Sequence, residues 1–397
     1  MANVSSSNGL EKYPKLRFKG FSEPWNAIRF GDIVDEYSDR TKEEDEDILL
    51  SAAIEGMFLN SELFDHQRGA SNKGYKKIDM GTLVLSTQNL HLGNANVNLR
   101  FEHGMVSPAY KTYHIHDCSI GLIAEWVKSE KAKRFFYDAT TVGASVCRRN
   151  VEWDTLYDQP LYLPSEAEQE RLAAFLTALS TRIKKQTELV EHLKKYKRGL
   201  LSSLLDKEEW QTVLMQDVAS GFDYGMNSAA TEYDGKHKYI RITDIDESTH
   251  KYISTECVSP SDLPEAKYKV EENDILFART GASVGKSYIY DSRDGELYYA
   301  GFLIRASVKP DFNSYFVYLN TLTLGYQRWV VLESTRSGQP GINAEQYRNY
   351  KFKCPPIEIQ NKIANIFIHF DLKLQREQEI LECLLNYKKA MMQNLFV

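Results

Sequence analysis

One glycine-rich segment of this sequence could bind phosphate. Residues 281–287 (GASVGKS) are similar to a nucleotide phosphate loop, but that loop needs four residues between its glycines, and here there are three. It also needs a helix after the Lys-Ser pair, whereas residues 288–290 (YIY) are typical of a strand. The segment therefore predicts a loop between strands, in which Arg279 and Lys286 could contact the phosphates of a nucleic-acid backbone.

Two further motifs fall short of enzyme sites. Residues 354–357 (CPPI) share two prolines with the loop that holds the base in adenine methyltransferases. Cys354 and Ile357 provide neither the carboxamide or carboxylate nor the aromatic ring that such a loop requires, so the prolines more simply start a helix. A nuclease-like cluster of Asp262, Glu265 and Lys267 is too closely spaced to span two strands and predicts a surface turn.

A metal site is the remaining chemical possibility. His114, His116 and Cys118 alternate along a predicted strand and could share one face. Zinc in a structural site normally takes four ligands, and the sequence offers no evident fourth. A strand that points polar residues outwards is the favoured interpretation, with metal binding as the alternative.

Composition limits the class of protein. The 397 residues suffice for two domains, and 24 tyrosines and 18 phenylalanines suit β-rich domains or base stacking. No apolar run reaches the roughly 18–20 residues of a membrane span, and residues 1–8 are too polar for a secretory signal. Five scattered cysteines without a C-x-x-C motif indicate a reduced, cytoplasmic protein. The net charge of −6 disfavours a simple basic DNA-binding module but leaves DNA binding open, because the local field of one face decides it. A basic partner chain could supply much of the phosphate contact.

The strongest feature is an internal repeat. Residues 164–205 align without a gap with residues 355–396, at an offset of 191 residues. Both segments start with proline, which favours helix starts, and nearly forty residues of helix would be about 60 Å long. We therefore predict two long, equivalent helices.

The apolar spacing of the repeat predicts a coiled-coil seam. The 3.5-residue period holds over several heptads, and the same two slots are polar in both copies: Gln186 and Lys197 in the first, Glu377 and Lys388 in the second. Matching interruptions disfavour the alternative of two independent core helices. The seam residues are Leu172, Leu176, Leu179, Ile183, Val190, Leu193, Leu200 and Leu204, then Ile363, Phe367, Phe370, Leu374, Leu381, Leu384, Met391 and Leu395. All of them except Leu204 and Leu395 are also expected at the partner interface.

The segments before each helix also resemble each other, although more weakly. Residues 25–33 and 210–218 share a spaced Trp and Asp, and residues 81–87 occupy the place of 273–280, each predicting a buried strand after a turn. Residues 142–146 and 337–343 are Gly-rich loops before the helices. In the second half, short apolar runs at 238–242, 275–278, 287–290 and 297–304 predict strands, so the domains should be α+β.

Two similar halves suggest how the protein could meet DNA. Such halves can fold about an internal pseudo-two-fold axis, with the two helices antiparallel and one domain at each end. Duplex DNA has local two-fold symmetry, so two domains at a fixed separation could contact two half-sites. Since the two domains differ in sequence, the half-sites could differ as well.

Pro164, Glu168 and Gln169 lead into the first helix, and residues 355–360 (PPIEIQ) lead into the second. Together with residues 196–201 (YKRGLL), 387–390 (YKKA), 273–281 (NDILFARTG) and 339–343, these motifs resemble type I restriction–modification specificity subunits, the HsdS family, over nearly the whole chain. The likeness is weakest at residues 39–138, where a variable recognition region would lie.

The resemblance implies a function and a set of partners. The chain would be a non-catalytic subunit that recognises a bipartite target in double-stranded DNA. It would bind two methyltransferase (M) subunits, which use S-adenosylmethionine to methylate adenine, and two restriction (R) subunits that require ATP and Mg could join. The chain itself would bind no cofactor and no membrane.

Together these inferences predict an α+β fold with two strand-rich target-recognition domains, separated by two long antiparallel coiled-coil helices, with internal pseudo-two-fold symmetry. We expect a first recognition domain at residues 1–162, of which 1–13 form a flexible tail, and a central conserved helix at 163–206. A second recognition domain should follow at 207–353, and a C-terminal conserved helix at 354–397.

Candidate DNA-binding residues are polar or basic side chains in the predicted loops, because such side chains bond to base edges and phosphates. Any single one could instead be a solvated or capping residue. In the first domain they are Ser86, Thr87, Gln88, Asn89, Lys111, Tyr113, Arg148 and Arg149. In the second they are Tyr224, Asn227, Ser228, Arg241, Thr243, Arg279, Thr280, Gly281, Lys286, Arg336, Ser337 and Gln339.

Two other functions remain open from the sequence. A stand-alone nuclease or methyltransferase would need a cofactor loop or carboxylate cluster, and turnover by the purified chain would support it. A coiled-coil scaffold that only joins proteins would have no DNA affinity even with its partners present. Gly-rich loops carrying Arg, Gln and Asn favour DNA recognition.

Replacing Arg336 or Gln339 with Ala should weaken methylation at one half-site, because each side chain can bond to DNA, while partner assembly stays intact. Methylation by the complex with its M subunit measures the first effect and co-purification the second. Unchanged methylation in both variants would remove these two residues from the candidates.

Overall fold

The computed structural model describes residues 12–64, 71–142, 149–335 and 339–397, so residues 1–11 of the predicted tail lie outside the described ranges. The chain forms two compact units. Unit 1 comprises Met1–Thr187 and Glu379–Val397, and unit 2 comprises Glu188–Gln378. The divisions fall inside the long helices rather than at their ends, so each unit consists of one strand-rich domain with a part of both helices.

Unit 1 contains a mixed set of short strands and helices before the first long helix. Its strands are β1 (Asn26–Arg29), β2 (Val34–Tyr37), β3 (Leu50–Ala53), β4 (Gly56–Leu59), β5 (Lys76–Asp79), β6 (Leu83–Ser86), β7 (Ala95–Val97), β8 (His103–Val106), β9 (Tyr110–Ile115), β10 (Thr140–Val142), β11 (Arg149–Val151) and β12 (Pro160–Leu163). Its helices are α1 (Asn60–Leu63), α2 (Ile120–Trp126), α3 (Glu130–Asp138), α4 (Trp153–Asp158) and the first part of α5 (Glu166–Leu205).

Unit 2 follows the same plan. Its strands are β13 (Gln211–Leu214), β14 (Ala219–Tyr224), β15 (Ala230–Glu232), β16 (Lys238–Ile240), β17 (Val258–Pro260), β18 (Asp274–Ala278), β19 (Ser287–Ile289), β20 (Leu297–Tyr299), β21 (Leu303–Val308) and β22 (Lys351–Cys354). Its helices are α6 (Met215–Val218), α7 (Ser314–Asn320), α8 (Leu324–Ser334), α9 (Ala344–Arg348) and the first part of α10 (Ile357–Leu395).

The main sheets of the two units have the same topology. Unit 1 orders its four strands β2-β9-β6-β7, unit 2 orders its strands β14-β21-β18-β19, and all neighbours are antiparallel. In each unit the strand before the long helix pairs with the first strand of the domain, β12 with β1 and β22 with β13. The predicted α+β fold with two related, strand-rich domains and two long helices is confirmed.

Most of the strands predicted in the second half are present, with one correction. The runs at 238–242, 275–278 and 287–290 correspond to β16, β18 and β19. The run at 297–304 is not one strand, because the chain turns at residues 300–302 between β20 and β21. The Leu303 amide bonds to the Ala300 carbonyl at 2.8 Å and closes this turn.

The long helices begin two residues after the prolines that predicted them. None of the predicted seam residues is exposed, and Leu172, Leu176, Leu179, Val190, Ile363 and Phe367 are buried. No helix in the described ranges carries a stretch apolar enough to cross a bilayer.

Each domain core contains residues from both long helices. In unit 1, Leu172 and Leu176 of α5 pack with Met392, Leu395 and Phe396 from the end of the chain. In unit 2, Leu201 and Leu205 of α5 pack with Ile363 and Phe367 of α10. Within each unit the two helices therefore run antiparallel, and each domain is completed by the helix of the other half of the sequence.

A buried glutamine joins the start of each long helix to its domain. In unit 1, the Gln169 side chain accepts the Ser119 amide at 2.9 Å and donates to the Pro164 carbonyl at 3.0 Å. In unit 2, Gln360 accepts the Asn313 amide at 3.0 Å and donates to the Pro355 carbonyl at 2.8 Å. These glutamines occupy equivalent positions in the internal repeat, which has an offset of 191 residues, so the same contact occurs in both units.

The lysine slots of the predicted seam have structural partners. Lys388 Nζ lies 2.8 Å from a Glu125 carboxylate oxygen and donates to Ser180 Oγ at 2.6 Å, within unit 1. Lys197 Nζ lies 2.6 Å from Asp371 Oδ1 within unit 2. Both lysine side chains are partly buried, and each ammonium charge is compensated by a carboxylate within the same unit.

Gln169→Ala should loosen the start of α2, because it leaves the Ser119 amide and the Pro164 carbonyl without their partner. The cost should be about 2–6 kcal/mol, since each of the two unsatisfied groups costs about 1–3 kcal/mol. Hydrogen exchange should become faster in peptides covering 119–126 and stay unchanged at 313–320. Gln360→Ala should give the reverse pattern, and the exposed Glu170→Ala should change neither. Uniform acceleration in both regions would contradict a local contact.

Candidate nucleic-acid interface

The second and third strands of each main sheet, in chain order, are linked by loops of equal length. We call these the strand-end loops: residues 87–94 after β6 and 279–286 after β18. Each loop is closed at its base by main-chain bonds. The Ser86 amide bonds to the Asn94 carbonyl at 3.1 Å, and the Ala278 amide to the Lys286 carbonyl at 2.8 Å. Gly93 and Gly285 have φ of +92° and +84° at the same loop position, a conformation that favours glycine. The two loops are therefore equivalent in backbone as well as in place.

In unit 2, five predicted residues come together around the strand-end loop. The Arg279 guanidinium lies over the Tyr224 ring, 4.7 Å from its centroid. Thr280 pairs with Gly341 in a β-bridge, and the ideal Cβ position of Gly281 is 3.3 Å from Gln339 Nε2. The Tyr224 hydroxyl accepts the Ala344 amide at 3.2 Å, which ties the cluster to α9. Arg and Gln side chains at one partly open surface form a chemical set that can bond to base edges.

In unit 1, the equivalent loop presents a different set. Gln88 and Asn89 are exposed, and Thr87 donates from its hydroxyl to the Ala109 carbonyl at 2.8 Å. Arg149 donates to Thr140 Oγ1 at 2.6 Å and to its carbonyl at 2.7 Å, and lies 4.1 Å from the Tyr137 ring centroid. Burial and the nearby Arg149 charge lower the pKa of His91 in the same loop. The strand-end loop of unit 1 therefore presents the side-chain amides of Gln88 and Asn89, whereas the strand-end loop of unit 2 presents the guanidinium of Arg279.

Two predicted residues of unit 1 face the core, which corrects their assignment. Tyr113 is fully buried, and its hydroxyl lies 2.9 Å from the Tyr157 hydroxyl. Burial raises the pKa of Tyr113 well above its usual value. Ser86 is buried as well, and its Oγ accepts the amides of Gln88 and Asn89 at 3.4 and 3.1 Å. Ser86 shapes the loop and Tyr113 fills the core, and neither presents a side chain to a ligand.

Two predicted lysines are engaged inside the protein. Lys286 has 8% of its surface exposed, donates to the Ile245 carbonyl at 2.9 Å and lies 2.5 Å from a Glu247 carboxylate oxygen. Lys111 donates to Glu36 at 2.6 Å and lies 4.2 Å from the Trp153 ring centroid. Lys286 is therefore a structural residue rather than the predicted phosphate contact, and the Lys111 ammonium is held by Glu36.

The other predicted residues of unit 2 lie outside the Tyr224–Arg279 cluster. Arg241 is held by Asp244 through two bonds of 2.8 Å, and Thr243 is exposed beside them. Ser228 Oγ donates to Asp262 at 2.8 Å, and Asn227 is exposed. Arg148, Arg336 and Ser337 lie outside the described residues, as do parts of the two Gly-rich loops predicted at 142–146 and 337–343.

The predicted metal-like alternation does not form one strand face. β9 ends at Ile115, so His116 and Cys118 lie beyond it, while the His114 ring stacks on Tyr37 with centroids 4.0 Å apart. Burial raises the pKa of Cys118 to about 12. In the ranges the structure covers, no group of three His, Cys, Asp or Glu side chains could hold a metal. The segment that is similar to a phosphate loop is followed by β19 rather than by a helix, as predicted.

Sequence analysis missed the residue opposite each loop. The Thr87 amide bonds to the Ala109 carbonyl at 3.2 Å, and the Arg279 amide bonds to the Phe302 carbonyl at 3.1 Å. Aligning Gly93 with Gly285 would have extended the repeat through both loops. The equivalence of Ala109 and Phe302 would still not have been recognised, because residues 297–304 were expected to form one strand.

Lys286→Met should destabilise unit 2, because the buried Ile245 carbonyl loses its donor, at a cost of about 1–3 kcal/mol. The salt dependence of DNA binding should stay unchanged, whereas loss of a phosphate contact would reduce the slope by about 1. Urea unfolding and a salt titration measure the two effects. The exposed Lys236→Met serves as the control and should not alter stability. A reduced slope at unchanged stability would restore Lys286 as a phosphate contact.

Comparison with known proteins agrees with this geometry. A family model described as the type I restriction modification DNA specificity domain matches residues 207–386. The putative type I restriction enzyme MjaX specificity subunit of Methanocaldococcus jannaschii is 26% identical over 198 residues, covering 48% of this chain and 46% of that protein. The match thus spans about half the length of that relative.

Two solved structures share the fold. The S subunit of a type I restriction–modification system from M. genitalium has a TM-score of 0.62 at 14% identity, covering 97% of this chain and 99% of that one. A structure from work on complex assembly and conformational transition of the type I system has a TM-score of 0.55 at 14% identity, covering 94% and 97%. These findings show that residues 207–386 match the type I restriction modification DNA specificity domain, and that the chain has the fold of these solved structures.

Proposed function

We propose that this chain selects the DNA sequence on which a type I restriction–modification complex acts. The observation that carries the proposal is the pair of strand-end loops. The same backbone frame occurs in both domains, but it presents Thr87, Gln88 and Asn89 in one and Arg279, Thr280 and Gly281 in the other. A shared frame with different polar side chains suits recognition of two different short sequences.

The target would be bipartite. Each domain has its own loop cluster, so each would contact one half-site of double-stranded DNA, and the bases between the half-sites would remain unspecified. Arg279 and Gln339 in the second domain match the donor pattern that recognises guanine and adenine edges. The exposed Gln88 and Asn89 of the first domain match adenine. The two half-sites should therefore differ in sequence.

The long helices would bind the partner subunits. Tyr196 and Tyr387 occupy the same position in the 191-residue repeat, and they are 62% and 46% exposed although both are large and aromatic. Aromatic side chains are enriched at protein interfaces. Two equivalent surfaces would accept two methyltransferase subunits, and two restriction subunits could join the assembly. The relative from work on complex assembly supports such partners.

Catalysis would reside in those partners. The phosphate-loop, Pro-Pro and carboxylate motifs of this chain each lack a residue or a spacing that their chemistry requires. S-adenosylmethionine, ATP and Mg would therefore bind to the partner subunits, which would methylate adenine N6 and cleave DNA. The complex would act in the cytoplasm, and four described cysteines are free thiols, as in a reducing compartment.

The function can be tested by co-expressing the chain with its methyltransferase subunit in a methylation-free host and mapping modified adenines across the genome. One split motif with a fixed gap would support the proposal and reveal both half-sites. A stable complex that leaves no modified motif would favour a scaffold without DNA recognition. Turnover by the purified chain alone would favour a stand-alone enzyme.

Arg279→Ala should weaken binding to the second half-site roughly 5- to 150-fold, because a bidentate arginine–base contact contributes about 1–3 kcal/mol. Arg279→Lys should restore little, since an ammonium cannot form the bidentate contact. Arg293→Ala is the matched control, because Arg293 is exposed and bound to Asp291 in the same domain. The effect is measured by the binding of the complex between this chain and its methyltransferase subunit to duplexes altered in one half-site. An equal loss for both arginines would contradict a base contact.

A further inference from the structure

Phe302 of unit 2 is an exposed aromatic residue between buried neighbours. It lies in the turn between β20 and β21, and 58% of its surface is accessible. Ala300 and Leu303 are buried, so the turn holds Phe302 outside the core rather than at a frayed end. Because more than half of its surface is in solvent, this phenylalanine side chain lacks most of the stabilisation that burial of a large apolar side chain normally provides.

Main-chain bonds fix the turn that carries Phe302. The Gly301 amide bonds to the Met226 carbonyl at 2.7 Å, and the Ala300 amide bonds to the Ile240 carbonyl at 3.0 Å. The turn also packs against Gly225, where an added Cβ would lie 2.2 Å from the Ala300 carbonyl oxygen. The protein therefore presents the ring from a rigid frame, and a ligand would not have to order it first.

Phe302 adjoins the strand-end loop of the same unit. β18 and β21 pair Ala278 with Leu303, so the next step of the register places Arg279 opposite Phe302. The Arg279 amide bonds to the Phe302 carbonyl at 3.1 Å, which continues the pairing. Residues opposite each other on antiparallel strands project from the same face. Phe302 thus extends the surface formed by Tyr224, Arg279 and Gln339.

The first domain provides an internal comparison. β6 and β9 pair Ser86 with Tyr110, which places Thr87 opposite Ala109. The Thr87 amide bonds to the Ala109 carbonyl at 3.2 Å, as the Arg279 amide does to the Phe302 carbonyl. The backbone of this position is therefore compatible with a methyl side chain, and nothing in the fold requires the phenylalanine ring. Its presence in the second domain alone points to a role in what that domain binds.

We propose that Phe302 is a specificity-determining residue, whose ring contacts the 5-methyl group of a thymine in the half-site bound by unit 2. The inference rests on the proposed function, because it assigns a base contact to the same DNA surface. An apolar side chain beside polar ones that bond to base edges meets the thymine methyl in the major groove, where that methyl is the apolar feature of the base pairs. A ring in this place excludes water from the methyl, and it disfavours cytosine, which has an amino group nearby.

The test uses the complex of this chain with its methyltransferase subunit and duplexes that carry the mapped motif. Deoxyuridine, which differs from thymidine only in the missing methyl, replaces each thymine of the second half-site in turn. At one position the wild-type complex should bind about fourfold more weakly, as expected for burial of one methyl group. Phe302→Ala should bind the thymine duplex as weakly as the wild type binds the deoxyuridine duplex, and should not distinguish the two.

Two further measurements make the outcome decisive. Phe302→Leu should keep part of the preference for thymine, because leucine still supplies an apolar surface. Deoxyuridine in the first half-site should affect wild type and Phe302→Ala equally, which shows that the variant folds and assembles. The inference is overturned if the wild type recognises the motif but no thymine position distinguishes it from Phe302→Ala. If the wild-type complex binds the motif no better than a scrambled duplex, the proposed function itself fails, and the inference with it.

Discussion

The fold depends on the burial of the ends of two long helices in domain cores that neither half of the sequence could complete alone. Leu172 and Leu176 share the first core with Met392 and Leu395, and Leu201 shares the second with Ile363 and Phe367. Removing these helix ends would expose apolar surface on the domain as well as on the helix. Gln169 and Gln360 add direction to this apolar contact, because each satisfies a buried amide and a carbonyl at the point where the helix leaves its domain.

The helices could be predicted from the sequence because a 3.5-residue apolar period over several heptads is typical of a coiled-coil seam and of few other structures. The lysine slots were visible too, but their partners were not: Glu125 comes from a different element, and Asp371 from the other helix. The equivalence of the domains was visible only at a few positions, such as Trp25 and Trp210. The sheets nevertheless have identical strand orders, since many apolar side chains can fill the same core once backbone pairing is fixed.

The candidate site was only partly predictable for a related reason. β6 and β18 are buried at every position. These strands therefore lack the alternation of apolar and polar residues that would distinguish an inner face of the sheet from an outer one. Sequence alone could not show that Tyr113 and Lys286 point inwards. Arg279, Gly281 and Gln339 were predicted separately, from two different glycine-rich segments, and the contact of Arg279 with Tyr224 joins residues 55 positions apart. Such a contact depends on strand order, which single-sequence patterns do not determine.

The strand-end loops are held by main-chain atoms: amides and carbonyls at Ser86, Asn94, Ala278 and Lys286 close them, while the outward side chains of Gln88 and Asn89 take little part. The bonds that stabilise the loops and the side chains proposed to contact DNA are thereby separated within a few residues. An amino-acid exchange at Gln88 or Asn89 leaves the frame intact, because the main-chain bonds that close the loop do not involve these two side chains. Inherited variation can therefore accumulate at these positions at little cost to folding, and under the proposed function a few exchanges would lead from one preferred DNA sequence to another.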